Sequence, residues 1–433
     1  MLHAHLPWVL GTTEERWLHE AVLDCYLPLL EVLERAPRGR LTMSVTPVLA
    51  AMLDDPRGRE RTAEYLAQAA TAAPEGWHRA NVERALASFR RGPIVARLAE
   101  LARDGRVELM TSGVTHGFLP LLMTVPEAAR AQVLLGAQGH RHFFGAEPQG
   151  FWLPECGYAP GLSEVLAEAG VRYTFVDTHA LEHSVHGSAA PVFLPSGVAA
   201  FARDVTASEQ VWSSKVGYPG DPVYADFHHR VNGQRVLRVT GAEPKAPWEP
   251  EAAFARAREH AAHFLSSREG GEPLQVAPYD AELFGHWWLE GPQFLAAVLE
   301  GDLLTTPSAV LRAQPTLETL ELPFSSWGRG GTAEVWLGPE NGWVWPHLHR
   351  AAEQMLEVDD DDALAELLLA QASDWPFLID AKTSAGFAQE QFEQHLLKFR
   401  ALARGEKVAA TNPFPWARAS VYGGRGGGQA QPA

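Results

Sequence analysis

A chain of 433 residues has room for two or three domains, or for one large α/β barrel with an appended part. Its hydrophobic content of 46% and charged content of 21% are those of a globular protein with a large core, and they exclude disorder over most of its length. The formal charge of −17 argues against nucleic acid or an anionic membrane as a partner and suits a neutral or cationic one, neutral sugars included.

Leu2 to Leu6 reads as the end of a strand stopped by Pro7. Trp17 to Arg35 predicts a helix, with Val22, Tyr26, Leu29, Leu30 and Leu33 at helical spacing. Leu41 to Val45 is a second strand. Residues 56 to 104 are Ala- and Arg-rich and predict two or three helices broken near Pro74-Glu75-Gly76. Arg106 to Met110 predicts a strand, and Pro126 to Phe144 a helix with Pro in its first turn. Gly150 to Leu153 is a strand, Pro160 to Ala169 a helix stopped by Gly170, and Val171 to Val176 a strand. This alternation predicts a parallel sheet with crossover helices, either a barrel or an open doubly wound sheet. Thr178 to Val211 shows little helical period. Glu251 to Ser267 predicts a helix, Leu274 to Ala277 a strand and Gly291 to Leu299 a helix. After about residue 340 only helices follow, at Trp345 to Leu356, Asp362 to Ala372 and Ala388 to Ala403. The run Asp359 to Asp362 suits an N-cap and first turn rather than a calcium loop. The domains read as a barrel over 1–55 and 105–335, a helical insertion over 56–104, a helical unit over 336–420 and a disordered tail over 421–433.

Two cysteines, Cys25 and Cys156, are too few for a disulfide scaffold. No apolar run nears the length of a membrane span and no signal peptide is visible at the start, so a cytoplasmic protein is expected. The 14 Trp outnumber the 8 Tyr; flat aromatic faces pack on sugar rings as well as in cores.

In α/β folds the chemistry sits where parallel strands end. In Gly150 to Tyr158 a strand runs out at Leu153, Pro154 stops the ladder and Glu155 follows. Leu274 to Trp288 repeats this grammar, with Pro278, then Asp280, then a polar and aromatic cluster holding His286. Two carboxyl groups at two strand ends suit cleavage of a glycosidic bond, one attacking the anomeric carbon and one protonating the leaving oxygen. His3 and His5 lie on one face of the first strand, and His116 follows the third. These histidines suit hydrogen bonds to sugar hydroxyls or to the carboxylates; His3, His5 and an acid would also suit a zinc ion. Trp327 and Trp336 flank a Gly-rich turn and, with Trp212, are candidate platforms for sugar rings. That turn lacks the Gly-Lys-Ser/Thr ending of a phosphate loop. No G-x-S-x-G elbow and no H-E-x-x-H motif is present.

Together these segments resemble glycoside hydrolase family 57, and within it the α-1,4-glucan branching enzymes. His3-Ala4-His5-Leu6-Pro7 resembles the first family motif and Glu108 to Gly117 the second. Trp152-Leu153-Pro154-Glu155-Cys156-Gly157-Tyr158 resembles the third, whose Glu is the nucleophile. Tyr279 to Trp288 resembles the fourth, whose Asp is the general acid/base, and Ser326 to Trp336 the fifth. Ala372 to Phe377, with Asp374, resembles a stretch of the C-terminal helical domain of branching enzymes. The resemblance implies a distorted, TIM-like (β/α)7 barrel with a small helical insertion and a C-terminal helical domain. It also implies a retaining mechanism on α-glucan without metal or cofactor. Glu155 and Asp280 would be catalytic; His3, His5, His116, Trp212, His286, Trp327, Trp336 and Asp374 would bind substrate.

The chain departs from the family in two places. The first strand is short before His3, and the loop after the third motif, which carries a Tyr over the cleft in branching enzymes, is trimmed around Leu181 to Gly197 and holds no Tyr. Tyr218 is the other candidate for that Tyr, with the shortening then near Arg230 to Arg238. A lid that excludes water favours transfer over hydrolysis. An α-amylase-like hydrolase is therefore one alternative. A metal-dependent deacetylase-like or mannosidase-like barrel and a non-catalytic glucan-binding protein are the others.

Overall fold

The computed structural model describes residues 1–36, 40–213, 215–227, 230–231, 234–235, 237–241, 244–313 and 318–422. Its strands are β1 (Leu2–Ala4), β2 (Leu41–Val45), β3 (Val107–Ser112), β4 (Gly150–Trp152), β5 (Tyr173–Val176), β6 (Val192–Phe193), β7 (Ala199–Ala202), a small hairpin of β8 (Arg230–Val231) and β9 (Gln234–Arg235), and β10 (Tyr279–Asp280). The main sheet has the order β10-β1-β2-β3-β4-β5-β7-β6. Seven of these strands run parallel and β6 lies antiparallel on β7. Among the described residues the ring closes without a further ladder: Asp204 N–H, just past β7, donates to the Val276 carbonyl at 2.7 Å, and the Tyr279 hydroxyl donates to the Ala207 carbonyl at 2.7 Å. This is the expected seven-stranded barrel. Its interior is filled by Met110, Trp152, Tyr173, Phe175, Phe201 and Val276, so it is a core and not a pore.

Three local expectations are corrected. Leu274 to Ala277 does not form a strand; the ladder forms after Pro278, where Leu2 pairs with Tyr279 and His3 with Asp280. Proline has no N–H to give a ladder, which moves pairing past it. The stretch from Thr178 to Val211 hides the barrel strand β7 and a helix at Val205–Trp212, N-capped by Asp204. The helix expected from Trp17 to Arg35 contains a π-helical turn at Val22–Tyr26.

Helices Pro56–Ala72 and Trp77–Arg90 form a pair beside the barrel. The long helix Pro126–Phe144 starts at Pro and stops at Gly145, whose φ is 70°. After the barrel come Val344–Met355, Asp361–Ala370, Asp374–Ala381 and Ala385–Ala403. Asp360 caps the second of these, accepting from Ala363 N–H at 2.7 Å, as the Asp run implied. Leu364, Leu367, Leu368 and Trp375 are fully buried between these helices and the barrel. Each such side chain contributes about 1.5–3 kcal/mol, which holds the helical unit against the barrel rim. Two contacts set its register there: Thr115 Oγ1 donates to the Leu368 carbonyl at 2.5 Å and Ser373 N–H to the His116 carbonyl at 3.2 Å. The tail expectation is corrected at its start. Tyr422 is fully buried and accepts from Gln371 at 3.4 Å; residues 423–433 lie outside the described residues.

Candidate active site

β4 delivers Glu155 to the rim. Pro154 ends the ladder, and the chain turns so sharply that Glu155 and Cys156 take φ of 62° and 52°. His116, past β3, has φ 61°. A left-handed conformation at such residues costs about 1–3 kcal/mol each and persists only where packing enforces it, which is the pattern of functional positions. Glu155 Oε2 accepts from the Trp327 indole N–H at 2.9 Å, and Oε1 accepts from the Ser373 hydroxyl at 3.0 Å. Burial pushes the Glu155 carboxyl up, and these two donors work against that push.

Asp280 ends β10 beside His3. Among the described residues no donor holds its carboxylate. Burial, then the charges of Glu282, Glu155 and Asp374, hold it well above the usual carboxylate range. Burial raises both acids, but Glu155 alone has two donors that oppose the rise, while Asp280 is pushed further by neighbouring negative charge and so is the one driven to keep its proton.

The histidines form a stack. Ring centroids are 4.1 Å apart for His5 and His116 and 4.8 Å for His3 and His116, and His3 lies 5.2 Å from Trp152. His3 Nδ1 meets Ser44 Oγ at 2.6 Å, His3 Nε2 meets His116 Nε2 at 2.9 Å, and His116 Nδ1 meets Ser373 Oγ at 2.9 Å. Burial keeps the pKa of both His3 and His116 well below the ordinary value, so both rings are neutral. With Ser373 donating to Glu155, the remaining directions follow. His116 Nδ1–H donates to Ser373, His3 Nε2–H donates to His116, and Ser44 donates to His3. A one-way chain of hydrogen bonds therefore ends on Glu155. His5 stands beside it, with Nδ1 on Thr46 at 3.0 Å and Nε2 on Asp374 at 2.9 Å. His5, His116 and Asp374 also offer donor atoms within 4.8 Å of one another, a spacing a metal ion would accept, although each is engaged in these bonds.

Three further predicted residues differ in what surrounds them. Trp336 is 1% exposed and stacks on Phe118 at 4.3 Å, so it is core and cannot meet a sugar ring. His286 lies 3.5 Å from Asp24, in the π-helical turn Val22–Tyr26. Trp212 is 48% exposed and meets Trp287 edge-on at 5.7 Å, forming an open aromatic pair on the surface. Tyr218 is not a lid residue: it is buried, with its hydroxyl on His263 at 2.7 Å and its ring on His260 at 4.5 Å. Part of the stretch from 230 to 238 lies outside the described residues.

Several members of the site escaped the sequence. Glu282 accepts from Tyr26 at 2.5 Å and from His5 N–H at 3.2 Å. Ser44 and Thr46 hold the histidines, and Ser373 holds Glu155. The buried alternation Thr42, Ser44, Thr46 along β2 and one residue past it was the available signal, since polar residues at period two on a barrel strand share a face. Asp177, past β5, pairs with Arg203 at 2.8 Å and His179 at 3.1 Å, adding charged groups to the same rim.

A parallel barrel whose strand ends gather two buried carboxyl groups, one braced by donors and one not, beside aromatic rings is a glycoside-bond-cleaving enzyme. The chain belongs to glycosyl hydrolase family 57: the model of that family matches residues 1–311, and that of the C-terminal domain of 1,4-alpha-glucan branching enzymes matches residues 347–414. It is 33% identical to a 1,4-alpha-glucan branching enzyme of Thermococcus kodakarensis, over 93% of this chain and 72% of that protein. That alignment runs to 490 residues, more than this chain has, so the relative carries segments that this chain lacks. A GH57-type branching enzyme from Pyrococcus horikoshii superposes with a TM-score of 0.89 at 31% identity, covering 99% of this chain and 97% of that one. The alpha-amylase AmyC from Thermotoga maritima superposes with a TM-score of 0.87 at 31% identity, covering 98% of both.

Proposed function

We propose that this chain is a retaining α-1,4-glucan branching enzyme, with hydrolysis competing strongly because its lid is short. The observation that carries this is the opposed environments of Glu155 and Asp280, completed by Ser373 and Asp374 from the region that matches the branching-enzyme C-terminal domain. Glu155 attacks the anomeric carbon as the C–O bond to the departing glucan breaks, and Asp280 gives its proton to the leaving oxygen. Asp280, now a carboxylate, takes the proton of an acceptor 6-hydroxyl; that oxygen displaces Glu155, forming an α-1,6 bond and restoring both groups. Water entering in place of the acceptor gives hydrolysis. His3 and His116 orient Glu155 through Ser373, while His5 and Asp374 are placed to hold hydroxyls, and Trp212 to stack a ring with Trp287. These steps use protein groups alone, so exhaustive chelation leaves turnover unchanged on this reading and abolishes it for a metal-dependent barrel.

The proposed units are a catalytic barrel over 1–55 and 105–335, an insertion over 56–104 and a helical unit over 336–420. Among the described residues no helix is long and apolar enough to cross a membrane, and a cytoplasmic setting suits the buried free thiols Cys25 and Cys156.

An amylase-type reading has support of its own: no Tyr stands between Asp177 and Val198, and Tyr218 is packed away. Amylose incubated with the enzyme and then debranched separates the two. New α-1,6 signals in proton NMR support branching; reducing ends alone overturn it in favour of hydrolysis.

A further inference from the structure

The helical insertion and the first helix enclose a cleft of about 260 Å³ that neither Glu155 nor Asp280 lines. We infer that this cleft is a second, non-catalytic binding site for an α-glucan segment. The ligand class rests on the reading above; the site itself does not.

The lining has the chemistry of a neutral sugar site. Tyr65 and Trp77 supply half-buried rings over an apolar floor that includes Leu23 and Val82. Beside them stand Gln68 and Asn81, planar two-pronged amides that match pairs of adjacent hydroxyls, while the carboxylates of Glu20 and Asp24 in the same wall already have partners. An anionic ligand is disfavoured: Arg16 is already paired with Glu20 at 2.8 Å, and Asp24 adds a further negative charge. The volume lies just below the usual range for small-molecule pockets of about 300–1,000 Å³, which fits one or two sugar rings of a chain that continues into solvent.

The position ties the cleft to catalysis. Asp24 and Leu289 line it. Asp24 also lies 3.5 Å from His286, and its carbonyl sits against Gly285, where an added Cβ would come within 1.9 Å of it. One wall of the cleft is therefore the segment that follows Asp280. The neighbouring Tyr26 and Cys25 bond to Glu282 and the Ala281 carbonyl from the same π-helical turn. A glucan held here would be kept beside the catalytic barrel, raising its local concentration at the cleft without touching the reacting atoms.

Maltohexaose is titrated into the full chain carrying Glu155→Gln, with calorimetry and ligand NMR as readouts. The expected result is two binding events. Ala72→Trp, an exposed position on the cleft wall, and Asn81→Ala are then introduced separately; each weakens one event by at least about fivefold and leaves the other in place, with unchanged thermal melting. If Ala72→Trp fails to fold, Asn81→Ala decides alone. A single event in the parent, or two events that neither variant alters, overturns the inference. No binding of maltohexaose at all overturns the glucan reading itself.

Discussion

The indole nitrogen of Trp327 lies 2.9 Å from Oε2 of Glu155, while the Glu155 carbonyl accepts the backbone N–H of Trp327 at 3.1 Å. Side chain and main chain are thus gripped by one residue of the Gly-rich turn. Trp327→Phe keeps a ring near Trp152 and deletes the donor. A hydrogen bond to a charged group contributes about 1.5–3 kcal/mol, so kcat falls about 10- to 100-fold. Loss of a donor to the anion raises the Glu155 pKa, so the acidic limb of the kcat/KM profile moves to higher pH. An unmoved limb would show that the indole does not brace the nucleophile.

Glu282 is one of the negative charges that hold Asp280 protonated. Removing it in Glu282→Gln lowers the Asp280 pKa, because the anion of Asp280 then meets less repulsion. The basic limb of the rate profile moves to lower pH, while the rate on substrates with activated leaving groups changes less. A pH–rate series on amylose and on an aryl maltoside reads both effects.

Ser373 joins the helical unit to the nucleophile through Glu155 and His116. Ser373→Ala leaves His116 Nδ1 without its acceptor and Glu155 with one donor fewer. A buried unsatisfied group costs about 1–3 kcal/mol, so both kcat and melting temperature fall. Ser373→Thr, which keeps the hydroxyl, restores more rate than stability. Equal loss in both variants would mean that packing, not the hydroxyl, matters here.

Asp280 is raised in the folded state and ordinary in the unfolded chain, so above the usual carboxylate range the unfolded state sheds a proton that the folded state keeps. Stability from this group is full below that range and declines as pH rises through the folded pKa. Asp280→Asn therefore melts at a higher temperature than the parent at neutral pH, and the gap closes as pH falls toward about 4. His3 and His116 act oppositely: their lowered pKa values withdraw stability as pH drops below about 6.5. Melting curves from pH 4 to 8 test both signs.

Trp336 is a core residue against Phe118. Trp336→Ala costs about 3–5 kcal/mol of stability through the cavity it leaves. By contrast Trp212→Ala, at an exposed ring, leaves melting unchanged and raises KM for amylose. A reversal of these two outcomes would return Trp336 to the substrate.

Local rules carried the sequence reading where the signal was short-range. An apolar run ended by Pro154 or Pro278, with an acid one or two residues on, is a short-range pattern, and it pointed to Glu155 and Asp280. The same rules missed β7, whose sequence Ala199-Ala200-Phe201-Ala202 is too small and short to read as a strand alone. They placed Leu274 to Ala277 in the sheet because apolar residues suggested it, although pairing waits for the residues after proline.

The sequence by itself determined the alternation of strand and helix, the helical end and the two acids, because backbone periodicity, proline and strand-end chemistry act between near neighbours; closure into a barrel was implied only by the family resemblance. Only the tertiary structure decided that Ser373, 218 residues beyond Glu155, donates to it, that Trp336 is sealed in the core while Trp212 is open, and that His286 faces Asp24. Those outcomes depend on which surfaces are desolvated together. For Ser373 and Trp336 that is set by the packing of the helical unit on the barrel, not by the identity of any one residue.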